Sequence, residues 1–264
     1  MSKEPKGLGK IQAPKPAAVC TAIALFGAAG VGIALAKQPP REVVIGGYMT
    51  SLQGRTDNQR HNAYLALLKL NGRVVKPGEV FSFNDTVGSW SRDKGYRRAP
   101  VSYNGTLVDA WGGGVCQAST TVYNASLLSG LEIVRRFPHV FAPSYCPPGR
   151  DAAVAFGGID LKVRNPFSYP VKLKGVVQGD NLTVSWVADG RTTLPTRPTI
   201  SSQVMNFERP GHVVVNHGET TNVARIRNGG KPGWEVITYR IWPERREFIS
   251  QDTYPVMDRI IEFR

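Results

Sequence analysis

The amino-acid sequence predicts an α+β fold: a mostly antiparallel sheet packed with a few helices, preceded by one transmembrane helix and followed by a small all-β appendage. Three observations carry that expectation. The apolar patterning runs helix, strands, helix, then many strands, with hairpin-length links that suit antiparallel pairing. The 264 residues include 28 Gly and 19 Pro, which mark frequent turns rather than a helical bundle. Residues 17–36 read AAVCTAIALFGAAGVGIALA, without a single charge, and that length spans a bilayer as a helix.

Residues 1–16 form a basic tail. Lys3, Lys6, Lys10 and Lys15 precede the apolar run, an excess of positive charge that keeps this end on the cytoplasmic side. The main domain is then extracytoplasmic, with the protein held at the cell membrane by a single pass. Ala34-Leu35-Ala36 has the small-x-small form of a cleavage site, so secretion after signal cleavage is the alternative. Cys20 lies inside the apolar run and serves there as an apolar filler.

A polar, proline-bearing linker leads to a domain expected over residues 42–190. Glu42 to Thr50 reads as a strand. TDNQRHNAYLALLKLNG reads as a helix: Thr56 or Asp57 caps its start, Ala63, Leu67 and Leu70 share one face, and Gly72 follows its end. KPGEVFSFN supplies a turn and a strand ending near Asn84, and TVGSWSRDKGYRRAP is loop-rich. TLVDA is a short strand before three glycines, and Val115 to Leu128 reads as a helix with Gly130 as its stop. LEIVRRF (Leu131 to Phe137) is a strand, and PHVFAPSYCPPGRDAAVAF a loop running into another. LKVRN and then YPVKLKGVVQGDNLTVSWVADG complete the set, with Gly179-Asp180 at a hairpin tip. From Arg191 the composition shifts to Thr, Pro, Arg and Ser, which places a boundary there. Residues 191–264 read as the all-β appendage, through HVVVNHG, WEVITYRIWP and MDRIIEFR.

Hydrophobic residues make up 41% and charged residues 20%, so a packed core is available and wholesale disorder is excluded. The net charge of +13 favours an anionic partner. No zinc-finger spacing, basic heptad region or RNA-binding signature accompanies it. The expected partner is therefore an anionic surface or wall-like polymer, with the membrane met through the N-terminal segment, and not nucleic acid.

The chemistry concentrates in GGGVCQASTTVY, Gly112 to Tyr123. A cysteine in the first turn of a helix sits among unpaired N–H groups at the positive end of the dipole, a position that favours thiolate. A cysteine acyl-transfer site needs a thiolate, a base, an orienting group and an oxyanion site. Cys116 is the candidate nucleophile. Of the four histidines, His61, His139, His212 and His217, His139 follows Cys116 by one helix and one strand and can fold back toward it. Asp151 fits an orienting carboxylate, or equally a turn aspartate after Gly149. Backbone N–H groups from Gly114 to Gln117 are candidate oxyanion donors. Cys116, Thr120 and Tyr123 share a helix face at i, i+4 and i+7. With Ser119 they either line a cleft or form a semi-polar packing face. Cys116 and Cys146 lie outside the apolar run, where a disulfide is permitted. Cys146 sits between Tyr145 and two prolines and is expected not to be a constitutive partner. No metal site is expected, because Cys116 and His139 lack a close second ligand pair. No phosphate loop is expected either, since the Gly-Lys-Ser/Thr ending is missing, and no cofactor is implied.

LNGRVVKPGEVFSFNDTVG, GYRRAPV, GGGVCQASTTVYNASLLSGLEIVRRFPH and SYCPPGRDAAV occur in this order. Together they resemble the VanW domain family, over roughly Gly46 to Gly190. GKPGWEVITYRIW and ISQDTYPV in the tail are similar to G5-like β extensions. The resemblance implies wall chemistry at Cys116, since some VanW domains are associated with L,D-transpeptidase activity on peptidoglycan stem peptides. It matches Gly112, Gly113, Gly114, Cys116, Gln117, Ser119 and Thr120 to the family's glycine-rich cysteine segment, His139 to its histidine, and Tyr145, Pro147, Gly149, Asp151 and Ala152 to its Tyr-x-Pro-x-Gly-x-Asp-Ala segment. The resemblance thus implies Cys116, His139 and Asp151 as catalytic. It implies Gly113, Gly114, Gln117, Ser119, Thr120 and Tyr145 as substrate-binding, and the shared helix face adds Tyr123 to them. Val140 and Cys146 depart from the family pattern, which commonly has serine and an aliphatic residue there. Three functions stay open on these residues: a wall transpeptidase, a cysteine hydrolase of wall peptides, and a non-catalytic surface-binding protein with a structural Cys116.

Overall fold

A computed structural model describes residues 41–264 except 104–105, 195, 217–223 and 264. The expected membrane segment at 17–36 and His217 lie outside the described residues. Among the described residues no helix is long and apolar enough to cross a membrane.

β1 (Glu42–Ser51) leads into α1 (Asp57–Leu70). β2 (Val74–Val75) and β3 (Val80–Ser82) follow, then the short α2 (Phe83–Val87). The hairpin β4 (Arg98–Tyr103) and β5 (Thr106–Trp111) precedes α3 (Val115–Leu128). β6 (Glu132–Arg135) and β7 (Lys162–Arg164) flank a long loop, and β8 (Val171–Gln178) turns back into β9 (Asn181–Asp189). The chain ends in β10 (Thr199–Glu208), β11 (His212–Asn216), β12 (Ala224–Lys231), β13 (Gly233–Ile241), β14 (Arg246–Tyr254) and β15 (Met257–Phe263).

Among the described residues, five small sheets result, in the orders β1-β9-β8-β2, β3-β7-β6, β4-β5, β10-β13-β14 and β11-β15-β12. All the pairings are antiparallel but one: β11 runs parallel to β15. The expectation of an α+β, strand-rich fold with few helices and a β-rich C-terminal region therefore holds. α3 packs on β1 and β9 and against α1. The core around it includes Ile45, Leu67, Phe81, Val122, Leu173 and Trp186.

α1 starts where the sequence places it. Thr56 Oγ1 accepts from the Gln59 N–H at 3.2 Å while Gln59 Oε1 accepts from the Thr56 N–H at 3.1 Å, a reciprocal cap that satisfies two orphan donors. α3 is less expected in character. It is buried on every side from Gln117 to Leu127, although it carries Ser119, Thr120, Thr121, Asn124 and Ser126. Those hydroxyls and amides survive burial because each is paired. Thr121 and Ser126 donate back to the Gln117 and Val122 carbonyls, both at 2.8 Å. Trp186 Nε1–H donates to Ser126 Oγ at 3.0 Å.

Two local expectations are corrected. The strand expected to reach Asn84 stops at Ser82, because Ser82 Oγ accepts from the Asp85 N–H at 3.0 Å and starts α2. The loop after His139 does not run into a strand. Its Ala152 backbone is claimed by α3 side chains instead of a strand partner, and beyond it only an isolated bridge, Ala155 to Ile159, forms.

The strands after residue 191 bind the earlier ones through buried polar contacts. Arg240 Nη1 donates to the Leu131 carbonyl at 2.6 Å, while its Nε and Nη2 hold Glu247. Tyr254 OH accepts from the Gly149 N–H at 3.0 Å.

Candidate functional site

The glycine triplet does a structural job before any chemical one. Gly114 is the N-cap of α3 with φ +108°, a left-handed conformation that glycine adopts without penalty. A Cβ there would lie 2.2 Å from the Gln59 carbonyl oxygen, so glycine is what lets α3 begin hard against α1. A Cβ on Gly113 would meet the Pro100 carbonyl at 2.8 Å, and Asn62 Nδ2 donates to the Gly113 carbonyl at 2.9 Å. The close approaches at Gly113 and Gly114 are thus filled by the protein's own groups.

This start aims Cys116, the second residue of α3, at the long 136–161 loop. Its thiol and the His139 imidazole lie close enough to perturb each other's charge. Sγ also lies 3.4 Å from the Val154 carbonyl. The other end of the imidazole is fixed. His139 Nδ1–H donates to Asp151 Oδ2 at 2.6 Å, and the His139 backbone N–H donates to the same oxygen at 2.7 Å. With Nδ1 occupied, Nε2 is the nitrogen left for the thiol, the tautomer a base needs.

Asp151 is fully buried, and its second oxygen is equally committed. Oδ1 accepts from Arg136 Nη2 at 2.9 Å and from Tyr254 OH at 2.5 Å. Arg136 also donates through Nε to the Asp151 carbonyl at 2.6 Å and forms an ion pair with Asp252. The carboxylate therefore sees donors on every side. Neither oxygen is spent on a turn of its own backbone, as a turn aspartate after Gly149 would have it.

The electrostatics follow. Burial works against the charged Asp151 carboxylate, yet the hydrogen bond and charge of His139, with Arg136 and Tyr254, bring its pKa down to about 2. Burial likewise opposes protonated His139, but Asp151 and Cys116 overcome it and raise the imidazole to about 9. Burial also opposes the Cys116 thiolate, and the His139 hydrogen bond and positive charge outweigh it, so the thiol pKa is lowered. Both shifts favour a thiolate–imidazolium pair backed by a carboxylate.

The remaining expected residues divide by position. Tyr145 stands at the site: its ring meets the His139 ring edge-on, with centroids 6.5 Å apart. Ser119 and Thr120 are fully buried and hold the loop: Ser119 Oγ donates to the Ala152 carbonyl at 2.6 Å, and Thr120 Oγ1 accepts from the Ala152 N–H at 3.0 Å. Gln117 is buried too, donating through Nε2 to the Ser51 carbonyl at 2.8 Å. Tyr123 is fully buried behind the triad, under Arg136, whose guanidinium lies 5.4 Å from its ring centroid. Tyr123 and Arg136 also line a cavity of about 210 Å³ whose walls include Glu132 and Phe248 but not Cys116 or His139. The N–H groups of Val115 and Gln117 are spent on the Gly112 and Gly114 carbonyls at 3.0 and 3.1 Å, which removes them as free oxyanion donors. Cys146 is a buried free thiol, as Cys116 is also free, and burial raises the Cys146 pKa. Among the described residues no group of three or more His, Cys, Asp or Glu side chains is placed to hold a metal ion.

Sequence reasoning missed Arg136, Asp252 and Tyr254. Arg136 was hidden as one of two arginines ending a strand. Tyr254 and Asp252 lie over a hundred positions from Asp151 in the chain, and no local pattern links them to it.

Fold and site together define an α+β protein in which a thiol, an imidazole and a carboxylate converge at the start of a buried helix. Residues 58–187 match the family model described as VanW like protein, and the chain is VanW-like over that span. It is 38% identical over 141 residues to the protein YoaR of Bacillus subtilis (strain 168), across 53% of this chain and 46% of that one. It is 39% identical over 114 residues to the vancomycin B-type resistance protein VanW of Enterococcus faecalis (strain ATCC 700802 / V583), across 41% of this chain and 42% of that one. The chain thus spans less than half the length of either relative. The crystal structure of HP0197-G5 aligns in full to 26% of this chain, at 13% identity and a TM-score of 0.16, too low to bear on the C-terminal strands.

Proposed function

We propose that this protein is an extracytoplasmic cell-wall enzyme in which Cys116 carries acyl transfer on peptidoglycan stem peptides, in the manner of an L,D-transpeptidase. The observation that carries this reading is the convergence of Cys116, His139 and Asp151, with the thiol beside an imidazole whose Nδ1 is held by the carboxylate at 2.6 Å. The Cys116 thiolate attacks the donor's carbonyl, a C–S bond forms and the amide C–N bond breaks. The His139 imidazolium gives its proton to the departing amine. An acceptor amine then attacks the thioester, His139 takes its proton, and the thiolate leaves. Asp151 keeps the imidazole in register and its charge stabilised throughout. The similarity to a protein named for vancomycin resistance supports a wall setting, and the +13 net charge suits an anionic wall polymer. The uncharged stretch at 17–36 supports attachment to the membrane.

The test is incubation of the purified chain with defined muropeptides, followed by mass spectrometry. Cross-linked dimers, absent with Cys116→Ala, support the transpeptidase. Cleaved monomers make the protein a hydrolase. No product and no acyl adduct on Cys116 would rule out both.

A further inference from the structure

Arg55 sits in the turn between β1 and α1, where its N–H donates to the Leu52 carbonyl at 3.0 Å. Its guanidinium lies over the Tyr145 ring, 5.1 Å from the centroid, and Nη2 reaches Ser144 Oγ at 3.4 Å. Its Nε is shut off from water and bonded to nothing. An arginine N–H left in that state is costly unless a ligand completes it. Lys231, at the end of β12, comes to the same loop: its Nζ is 5.9 Å from the Phe141 ring centroid. Burial lowers the Lys231 pKa and the nearby Arg55 cation lowers it further. Among the described residues neither cation has an acidic partner. By contrast Arg60, a few residues on, is paired with Asp180, and Arg150 is committed to Asn124.

Two like charges thus converge on a loop segment with no counter-ion among the described residues, and the cost of holding them there calls for an anion. The same Tyr145 ring that carries Arg55 meets His139 at its edge. One aromatic ring therefore separates the unpaired guanidinium from the base of the triad. A guanidinium fork and an ammonium presented together suit a carboxylate.

We propose that Arg55 and Lys231 form a carboxylate-binding subsite beside Cys116, which receives the free carboxylate of the residue that leaves when the donor peptide acylates the thiol. This rests on the acyl-transfer reading of Cys116. The leaving residue's carboxylate lies only one residue beyond the scissile carbonyl, and Tyr145, which touches both Arg55 and His139, ties the cations to the triad. The subsite would bind a peptide ending in a free acid and discriminate against its amide.

Two measurements on the full chain test it. The first needs no peptide: the rate of Cys116 alkylation by iodoacetate divided by that by iodoacetamide. Arg55→Gln/Lys231→Gln should lower this ratio roughly tenfold, as expected when fixed charges that attract an anion are removed. Lys76→Gln/Arg245→Gln, which removes two exposed charges elsewhere, should keep the wild-type ratio. An unchanged ratio in the first variant, or an equal fall in both, overturns the subsite. The second compares acylation by a stem peptide with a C-terminal acid and by its C-terminal amide. Wild type should prefer the acid and Arg55→Gln/Lys231→Gln should not. Equal use of both by wild type overturns the subsite while leaving acyl transfer intact. Acylation by neither, with the alkylation ratio still lowered in the variant, overturns the acyl-transfer reading and leaves an anion subsite beside the thiol.

Discussion

Replacing Asp151 by Asn should cost about 4 kcal/mol of stability. The carboxylate is fully buried and receives two donors on each oxygen: Arg136 Nη2 and Tyr254 OH on Oδ1, and the two N–H groups of His139 on Oδ2. An amide keeps one oxygen. Its NH₂ must face either the arginine and phenol or the histidine, donor against donor. Two charge-assisted bonds are lost at roughly 1.5–3 kcal/mol each, in line with the roughly 3–5 kcal/mol for breaking a buried ion pair. For a chain of this size that lowers the melting temperature by roughly 10 °C. A second signature lies in acid. The Asp151 pKa is held at about 2, below the ordinary aspartate value of 3.8. A depressed carboxyl contributes stability that is present above the unfolded pKa and is lost as pH falls through the folded one. The wild type should therefore lose about 2 kcal/mol between pH 4 and pH 2 on account of this group, and Asp151→Asn should lack that component. Thermal unfolding followed by circular dichroism across this pH range measures both. A shift below about 3 °C with an unchanged acid limb would refute the buried-carboxylate argument.

Four further outcomes follow from the same geometry. At pH 7 iodoacetamide should label Cys116, whose pKa is lowered, and spare Cys146, whose pKa burial raises; peptide mapping reads which thiol carries the adduct. The Cys116 labelling rate should already be substantial at pH 7 and change again near pH 9 as His139 loses its proton, a profile that His139→Gln should abolish. Gly114→Ala should lose roughly 3 kcal/mol or more in urea unfolding, because its Cβ would stand 2.2 Å from the Gln59 carbonyl at φ +108°. Tyr254→Phe should cost about 1–3 kcal/mol and slow Cys116 alkylation, since the phenol bridges the Gly149 N–H and Asp151 Oδ1.

The local parts of this architecture were legible in the sequence because local rules write them. Thr56 and Gln59 announce the start of α1, and Gly179-Asp180 marks the β8–β9 hairpin tip, as the structure has them. Cys116 and His139 could be named because the chain has only 3 Cys and 4 His, whereas Asp151, one of 20 acidic residues, was singled out by the family resemblance. What supports them was hidden for a physical reason. The donors that hold Asp151 come from β14 and from the end of β6, a tertiary convergence that neither periodicity nor spacing encodes. The polar residues of α3 misled for a related reason. Ser119 and Thr120 share a face with Cys116 and so read as cleft residues, yet their hydroxyls are consumed by the Ala152 backbone. Helical spacing fixes which residues lie together and leaves open what packs against them.

The central claim is that Cys116 is a nucleophile charged by His139 and Asp151, and intact-mass spectrometry of the full chain with a stem-peptide donor tests it most directly. A covalent adduct equal to the donor less its terminal residue should accumulate when no acceptor amine is supplied. It should map to Cys116, persist in Cys146→Val, weaken in Asp151→Asn and vanish in Cys116→Ala and His139→Gln. A folded wild-type chain that reacts with iodoacetamide at Cys116 yet forms no adduct with any stem peptide would contradict the claim.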